Sequence, residues 1–501
     1  MDYHLPYGLI IFFLPIIIFL FSIYYENKSS SKLGLPKSYP LIGCTFSLIK
    51  NRKRLVQWTA QLLQNSPSST ITLTGPFGKK CVLTTNPSNV KHILKTRFDV
   101  YKKSTTVRSS LQDLLGGGIF VVDGTEWKSH RQLISPIFKS DTFHHIVECI
   151  TMKEISSRLL PLFADASTIS TTTILDLPDI FRRFTFDIVF KEGFGHDPQY
   201  LSPSLPKTPL ADAFNTAIKI CMGRYASPSI LWKAKKFARI GSEKNLSLAV
   251  KELQEFIKNR IARLKEGECD DHVYLVHFLA SKGRTQNKLV CDEKYYVDSI
   301  INFILAAEDT LCSALIWFFW LISSNPEVEK EVVSDIKANN NNNNWKKMTY
   351  LHASICESMR LYPPAPVEPK QATGDEDIWP DGTKVNKGTE VIIHIFAMGR
   401  SQELWGENWA EFKPERWLRK DVTTSNWVFI PRDPFNYPVF QAGPRTCLGI
   451  DIAFMQIKLV AANVLSQFQL VPAVDGYSPV YSSTLTSKMK NGFPVRVIQR
   501  V

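Results

Sequence analysis

One cysteine in this chain sits where a thiol could do more than pack. Phe440-Gln441-Ala442-Gly443-Pro444-Arg445-Thr446-Cys447-Leu448-Gly449 leads straight into Ile450–Leu465, an apolar stretch that reads as a helix. The start of a helix offers free N–H groups and the positive end of its dipole, and both favour a deprotonated sulfur. A thiolate is a metal ligand, and the same donors moderate how much electron density it gives the metal. Gly443 and Gly449 would let the backbone turn sharply and approach a flat macrocycle. Arg445 has the forked geometry to pair with a carboxylate on the rim of such a ring, and Phe440 would shield the sulfur from water. A lone cysteine is more often a packed hydrophobe, but these neighbours reverse that expectation.

Three further groups could carry chemistry. Ala306-Ala307-Glu308-Asp309-Thr310 puts two acids and a hydroxyl in the middle of a long apolar stretch, which is unfavourable in a buried helix unless they are used. A kinked helix with a polar pocket is the bland explanation. Proton delivery is the chemical one, with Thr310 positioning water and Asp309, with Glu308 behind it, relaying protons. Glu357 and Arg360 lie three apart and can pair on one helix face. Alone that pair means nothing, because a chain of this length should contain about one such spacing by chance. Trp127 and Arg131 follow Asp123-Gly124-Thr125-Glu126, a capping-box-like helix start, and by themselves suit an ordinary amphipathic helix.

The pattern F-x-x-G-x-R-x-C-x-G ending at Gly449 resembles the haem-binding loop of the cytochrome P450 family. The resemblance implies haem b with Cys447 as the axial ligand to iron, and a thiolate there favours O–O cleavage, which is monooxygenase chemistry. It implies that Glu357, Arg360 and Arg416, the last within Phe412-Lys413-Pro414-Glu415-Arg416-Trp417, form a buried network supporting the cysteine loop. It also assigns Trp127 and Arg131 to a haem propionate. Where Ala307 stands the family usually has glycine, and where Leu311 stands it usually has a second hydroxyl. Thr310 is therefore the only hydroxyl there, and the coupling of electrons to product is where this departure would show.

These residues need a large frame. The 501-residue chain is 44% hydrophobic and 21% charged, ordinary for a globular protein and unlike a polytopic membrane protein or a disordered one. Its net charge of +13 is scattered without a long basic run, which argues against nucleic acid and for anionic lipid or an acidic protein partner. Nine widely spaced cysteines with no C-x-x-C suggest neither a disulfide framework nor a zinc site. Leu5 to Tyr25 is apolar over roughly 30 Å as a helix, enough to span a bilayer. No small-residue cleavage site follows it, and the lysines at 28, 32 and 37 lie on its far side. Residues 1–30 are therefore expected to be an uncleaved endoplasmic-reticulum anchor, with the bulk of the chain cytoplasmic. A Pro-rich hinge is expected at 31–43 and a single catalytic domain at 44–501.

Thr70–Thr74 and Cys81–Thr85 read as a β-hairpin, and Glu390–Ile395 with Pro494–Gln499 as a second, late β cluster. Gly116-Gly117-Gly118 reads as a turn and not a phosphate cradle, and Asn339–Asn344 as a surface loop. Glu293 to Ser323 is the longest helix candidate and should be central and buried. The expected fold is mainly α with small β-sheets (α+β), a long central helix passing over the haem.

No flavin or dinucleotide fingerprint is present, so electrons must come from another protein. The resemblance implies NADPH-cytochrome P450 reductase. Phe194-Gly195-His196-Asp197-Pro198, Ser202-Pro203-Ser204-Leu205-Pro206 and Tyr437-Pro438-Val439-Phe440 look like the plant fatty-acid ω-hydroxylase clan. That likeness implies oxidation of a terminal or near-terminal carbon of a fatty acid or oxylipin conjugate. Oxidation of a sterol side chain is the competing substrate reading. Outside the class stand a haem-thiolate isomerase or dehydratase that needs no reductase and a non-catalytic haem sensor.

Overall fold

The computed structural model describes residues 34–500, apart from 170–172, 226, 266–274, 276–292, 340–344 and 424–425. The expected anchor lies outside the described residues, as does most of the asparagine run.

Strands β1 (Thr70–Thr74) and β2 (Lys80–Thr84) form the expected antiparallel hairpin, with Thr70 opposite Thr84 and Thr74 opposite Lys80. With β3 (Tyr101–Lys103), β4 (Glu368–Ala372) and β5 (Glu390–Ile393) they make a sheet of order β1-β2-β5-β4-β3. Here the sequence reading is corrected. β5 does not join a late β cluster but runs parallel to β2, Val82 beside Val391 and Thr84 beside Ile393. It stops at Ile393 because His394 turns the chain, its ring accepting a hydrogen bond from the Ala397 N–H to cap Ile395–Met398. Alternation marks a strand but not a partner some three hundred residues away. Pro494–Gln499 belongs to another sheet, where it pairs with Phe468–Pro472 and with Leu175–Asp176.

The helices that matter are α1 (Thr105–Leu115), α2 (Gly124–Phe138), α3 (Leu177–Phe194), α4 (Pro209–Tyr225), α5 (Gly241–Lys265), α6 (Glu293–Ser323), α7 (Thr349–Leu361) and α8 (Ile450–Gln467). The fold is mainly helical with small sheets, as expected. Among the described helices α6 alone is long and apolar enough to cross a membrane, but 78% of its apolar stretch is buried inside the protein. It is a core helix. α3 lies along it, with Phe181 and Phe319 stacked at 5.2 Å. α7 ends at Leu361, where Pro363 and Pro364 forbid further helix.

α2 starts where the sequence places it, but the capping box does not form. Asp123 makes no cap hydrogen bond. Its carboxylate instead accepts from Arg445 at 2.6 Å and from Arg108 at 2.5 Å. Two guanidinium groups and the Lys103 N–H hold the carboxylate away from the N–H groups of its own helix.

Candidate active site

The cysteine loop is built as its chemistry requires. Gly449 precedes α8, and its N–H donates to Cys447 Sγ at 3.3 Å. The Cys447 N–H donates to Phe440 O at 2.8 Å, closing the loop on itself. Gly443 adopts φ +69°, and a Cβ there would lie 2.2 Å from Leu94 O, so only glycine fits. Gly449 has a different reason. Its φ of −95° suits any residue, but a side chain would start 4.0 Å from the sulfur and 3.8 Å from Phe138. Its bareness keeps room beside the thiol. Phe440 is half-buried, its ring 5.2 Å from that of Phe454.

The thiol itself is at once accessible and deep. Cys447 is exposed by surface area, yet burial is the main influence pushing its pKa up, against the Gly449 N–H and the Arg131 charge. Surrounding protein and a bare surface coexist only when a side chain faces an internal space.

The candidate opposite wall is α6. From Ile300 to Phe319 it is buried except at Phe303, Ala306, Ala307 and Thr310. Phe303 and Ala307 are four apart, as are Ala306 and Thr310, and the two pairs are offset by three, a single helical face. An accessible stripe in the middle of a buried helix borders a space. Phe138 ties that stripe to the cysteine loop, its ring 6.4 Å from Phe303 and its edge 3.8 Å from where a Cβ on Gly449 would lie.

The rim carries the basic residues. Arg131 donates to Thr446 O at 2.6 Å, and Arg445 donates to Val122 O at 3.0 Å as well as to Asp123. The Arg445 guanidinium lies 4.6 Å from the Trp127 ring centre, so Trp127, Arg131, Arg445 and Cys447 are brought together. A flat, anionic-edged macrocycle with a metal at its centre fits this set. The thiol is accessible, α6 offers two alanines and a hydroxyl on its accessible stripe, and two guanidinium groups flank the loop. The sequence reading missed Asp123, which holds Arg445 in place; it had been assigned to the cap.

The two acids on α6 are split by their surroundings. Asp309 accepts from Thr486 Oγ1 at 2.6 Å and pairs with Lys488 at 2.9 Å, on strand Ser487–Met489. No spacing signal in the sequence links these residues to α6. Glu308 is 1% exposed, and its Oε2 has no hydrogen-bond partner. Burial, then the neighbouring Asp309 charge, pushes its pKa up to about 8, while Lys488 and Arg182 pull it down; Cys312 is the remaining titratable neighbour. Burial therefore favours the protonated form of Glu308. Thr310 Oγ1 donates to Ala306 O at 2.6 Å, one turn back.

A stability prediction arises here. The unfolded chain releases the Glu308 proton near about pH 4.3, whereas the folded chain keeps it to about pH 8. The folded state binds more protons between those values, so stability falls as pH rises through that window. Glu308→Gln removes the effect. Its melting temperature should match wild type near pH 5 and exceed it by a few degrees at pH 8 in scans at one fixed rate. An equal offset at both pH values would contradict the neutral carboxyl.

Behind the loop sits a buried ion network. Glu357 Oε1 accepts from Arg360 at 2.8 Å, Arg416 at 3.1 Å and Lys413 N at 3.0 Å; Oε2 accepts from Arg360 at 2.8 Å and Trp417 Nε1 at 2.9 Å. Arg416 also donates to Trp405 O and Asn408 Oδ1, each at 2.7 Å. Trp417 meets Tyr437 edge-on at 4.7 Å, and the Tyr437 hydroxyl donates to Cys356 O at 2.9 Å. Tyr437 is three residues from Phe440, so the network reaches the cysteine loop through packed rings. Trp417 and Tyr437 stand within the stretches read from the sequence, but their part in the support was not foreseen.

The cytochrome P450 family model matches residues 33–491. The chain is 44% identical to cytochrome P450 94A1 of Vicia sativa over 479 residues, 93% of this chain and 91% of that protein. It is 36% identical to cytochrome P450 94B1 of Arabidopsis thaliana over 508 residues, 98% of each chain. A loop that presents one thiol to an internal space and a match across nearly the whole chain agree: the protein belongs to the cytochrome P450 family, monooxygenases that hold haem through a cysteine thiolate.

Proposed function

We propose that this enzyme hydroxylates a terminal or near-terminal carbon of a long apolar molecule, a fatty acid or oxylipin conjugate. Electrons would come from NADPH through a membrane-bound reductase. The observation that carries this reading is the accessible stripe Phe303, Ala306, Ala307 and Thr310, apolar but for one hydroxyl and tied through Phe138 to the neighbourhood of the Cys447 loop. Haem bound there supplies activated oxygen for insertion into a C–H bond. Cys447 would hold the iron, with Arg131, Arg445 and Trp127 at the propionate edge.

The chain's own residues then divide the remaining work. Ala306 and Ala307 leave room for a slender chain end, and the two alanines and Phe303 keep bulk water off it. Thr310 is the hydroxyl that can turn from Ala306 O and hold a water or a proton at Oγ1. Asp309, fixed by Thr486 and Lys488, is the carboxylate next to it in sequence, and Glu308 lies one residue further back. Thr310→Ala should keep its haem but release several-fold more hydrogen peroxide per NADPH consumed, measured with purified reductase. Unchanged coupling would remove Thr310 from the mechanism.

Spectral titration of the purified holoenzyme with dodecanoic acid, a jasmonoyl-amino acid and a hydroxylated sterol tests the substrate class. Micromolar binding of an acyl compound is expected. Binding of the sterol alone would overturn the reading. We also propose an endoplasmic-reticulum location through the apolar segment before residue 31; removing it should shift the protein from the membrane to the soluble fraction.

A further inference from the structure

The turn at Gly116–Gly118 is held far more tightly than a surface turn needs. α1 ends at Leu115, and the next residues run against the first half of α6. The Gly117 N–H donates to Asp298 Oδ2 at 2.9 Å, and the Phe120 N–H to Asn302 Oδ1 at 3.3 Å. Asn302 Nδ2 returns a bond to Leu115 O at 2.9 Å. Both α6 side chains are buried. The approach is so close that a Cβ on Gly116 would lie 2.1 Å from the Asp298 carboxyl, and one on Gly118 1.9 Å from Asn302 Nδ2. Only glycine fits at either place, since neither neighbour is a free side-chain end that could swing away.

The far end of the same segment is tied to the other wall. Val122 O and the Asp123 carboxylate both accept from Arg445 of the cysteine loop, at 3.0 and 2.6 Å. A strap of eight residues, 116–123, therefore joins α6 to the cysteine loop. Val121 and Val122 are buried, while Ile119 is half-buried and Phe120 is 37% exposed. Those two apolar side chains are the ones left to meet an apolar ligand. Asn302 stands next to Phe303 and one turn before Ala306, so its hold on the strap sets the distance from Phe120 to the accessible stripe.

We propose that Asp298 and Asn302 are positioning residues that fix the strap and thereby set the length of apolar chain the site admits. The inference rests on reading this space as the substrate chamber. Loss of either bond frees backbone amides without touching the stripe or the thiol.

The test uses full-length holoenzyme and two readouts that need no turnover. Hydrogen exchange over residues 116–123 reports the strap, and spectral titration with imidazole and with 1-alkylimidazoles of increasing chain length reports the chamber. Wild type should bind the series with affinity that depends on chain length. Asn302→Ala should speed exchange of the strap at least about tenfold, flatten or shift the chain-length optimum, and leave the affinity for imidazole itself within about twofold. Asp298→Ala should act in the same direction should the Asn302 variant not fold, and Asp298→Asn, which keeps an acceptor, should restore most of the wild-type profile. Faster exchange with an unchanged chain-length profile overturns the proposal, as does unchanged exchange. No chain-length dependence in wild type would overturn the chamber reading itself.

Discussion

Glu357→Ala should give protein that fails to load haem, with little folded material at 37 °C. The carboxylate receives five hydrogen bonds, and both it and Arg360 are wholly buried. Removing it leaves two guanidinium groups facing each other in the interior with their counter-charge gone. Breaking a buried pair in this way costs about 3–5 kcal/mol, a large share of the 5–15 kcal/mol that holds a typical domain together. Glu357→Gln keeps the shape and should lose less, because its one carbonyl oxygen can still accept from Lys413 N, although its amide NH2 then meets the Trp417 Nε1 donor. Haem content per polypeptide checks both variants. A haem-loaded Glu357→Ala protein with wild-type melting would show that the network carries no load, and that the ring contacts of Trp417 with Tyr437 hold the loop unaided.

Cys447→Ser should reduce monooxygenase turnover by at least about a thousandfold. Serine keeps the loop geometry, including the bond between Cys447 N and Phe440 O, but its hydroxyl is not a thiolate and does not push electron density to iron. The cavity, the rim guanidinium groups and the Glu357 network are untouched, so some haem should still bind. Turnover with reductase and a ligand that gives a spectral shift is the measurement. Retained activity would mean that another group holds the iron.

Much of this site was legible because its parts are local. The cysteine loop, the helix that follows it and the mid-helix acids each lie within about ten residues, and short-range physics dictates what they do. The span of α6 and the stop at Pro363 follow from apolar content and proline geometry. What escaped was decided at long range. Asp123 looks like a cap because its neighbours spell one; only folding brings Arg445, 322 positions away, to claim the carboxylate. β5 reads as a strand, but nothing in its alternation names β2 as its partner. Lys488 and Thr486 reach Asp309 from a hairpin with no sequence link to α6. The accessible stripe likewise needed the fold, because only burial on all other faces shows that these positions border a space.

The claim on which everything else rests is that sulfur from Cys447 binds the iron. Absorption of the reduced carbon-monoxide complex of the purified wild-type protein reads this directly, beside the Cys447→His variant. A long-wavelength band in wild type, replaced in the variant by the shorter-wavelength band of a nitrogen-ligated haem, is the predicted result. The same short-wavelength band in freshly purified wild type, or a long-wavelength band that survives in the variant, would contradict it.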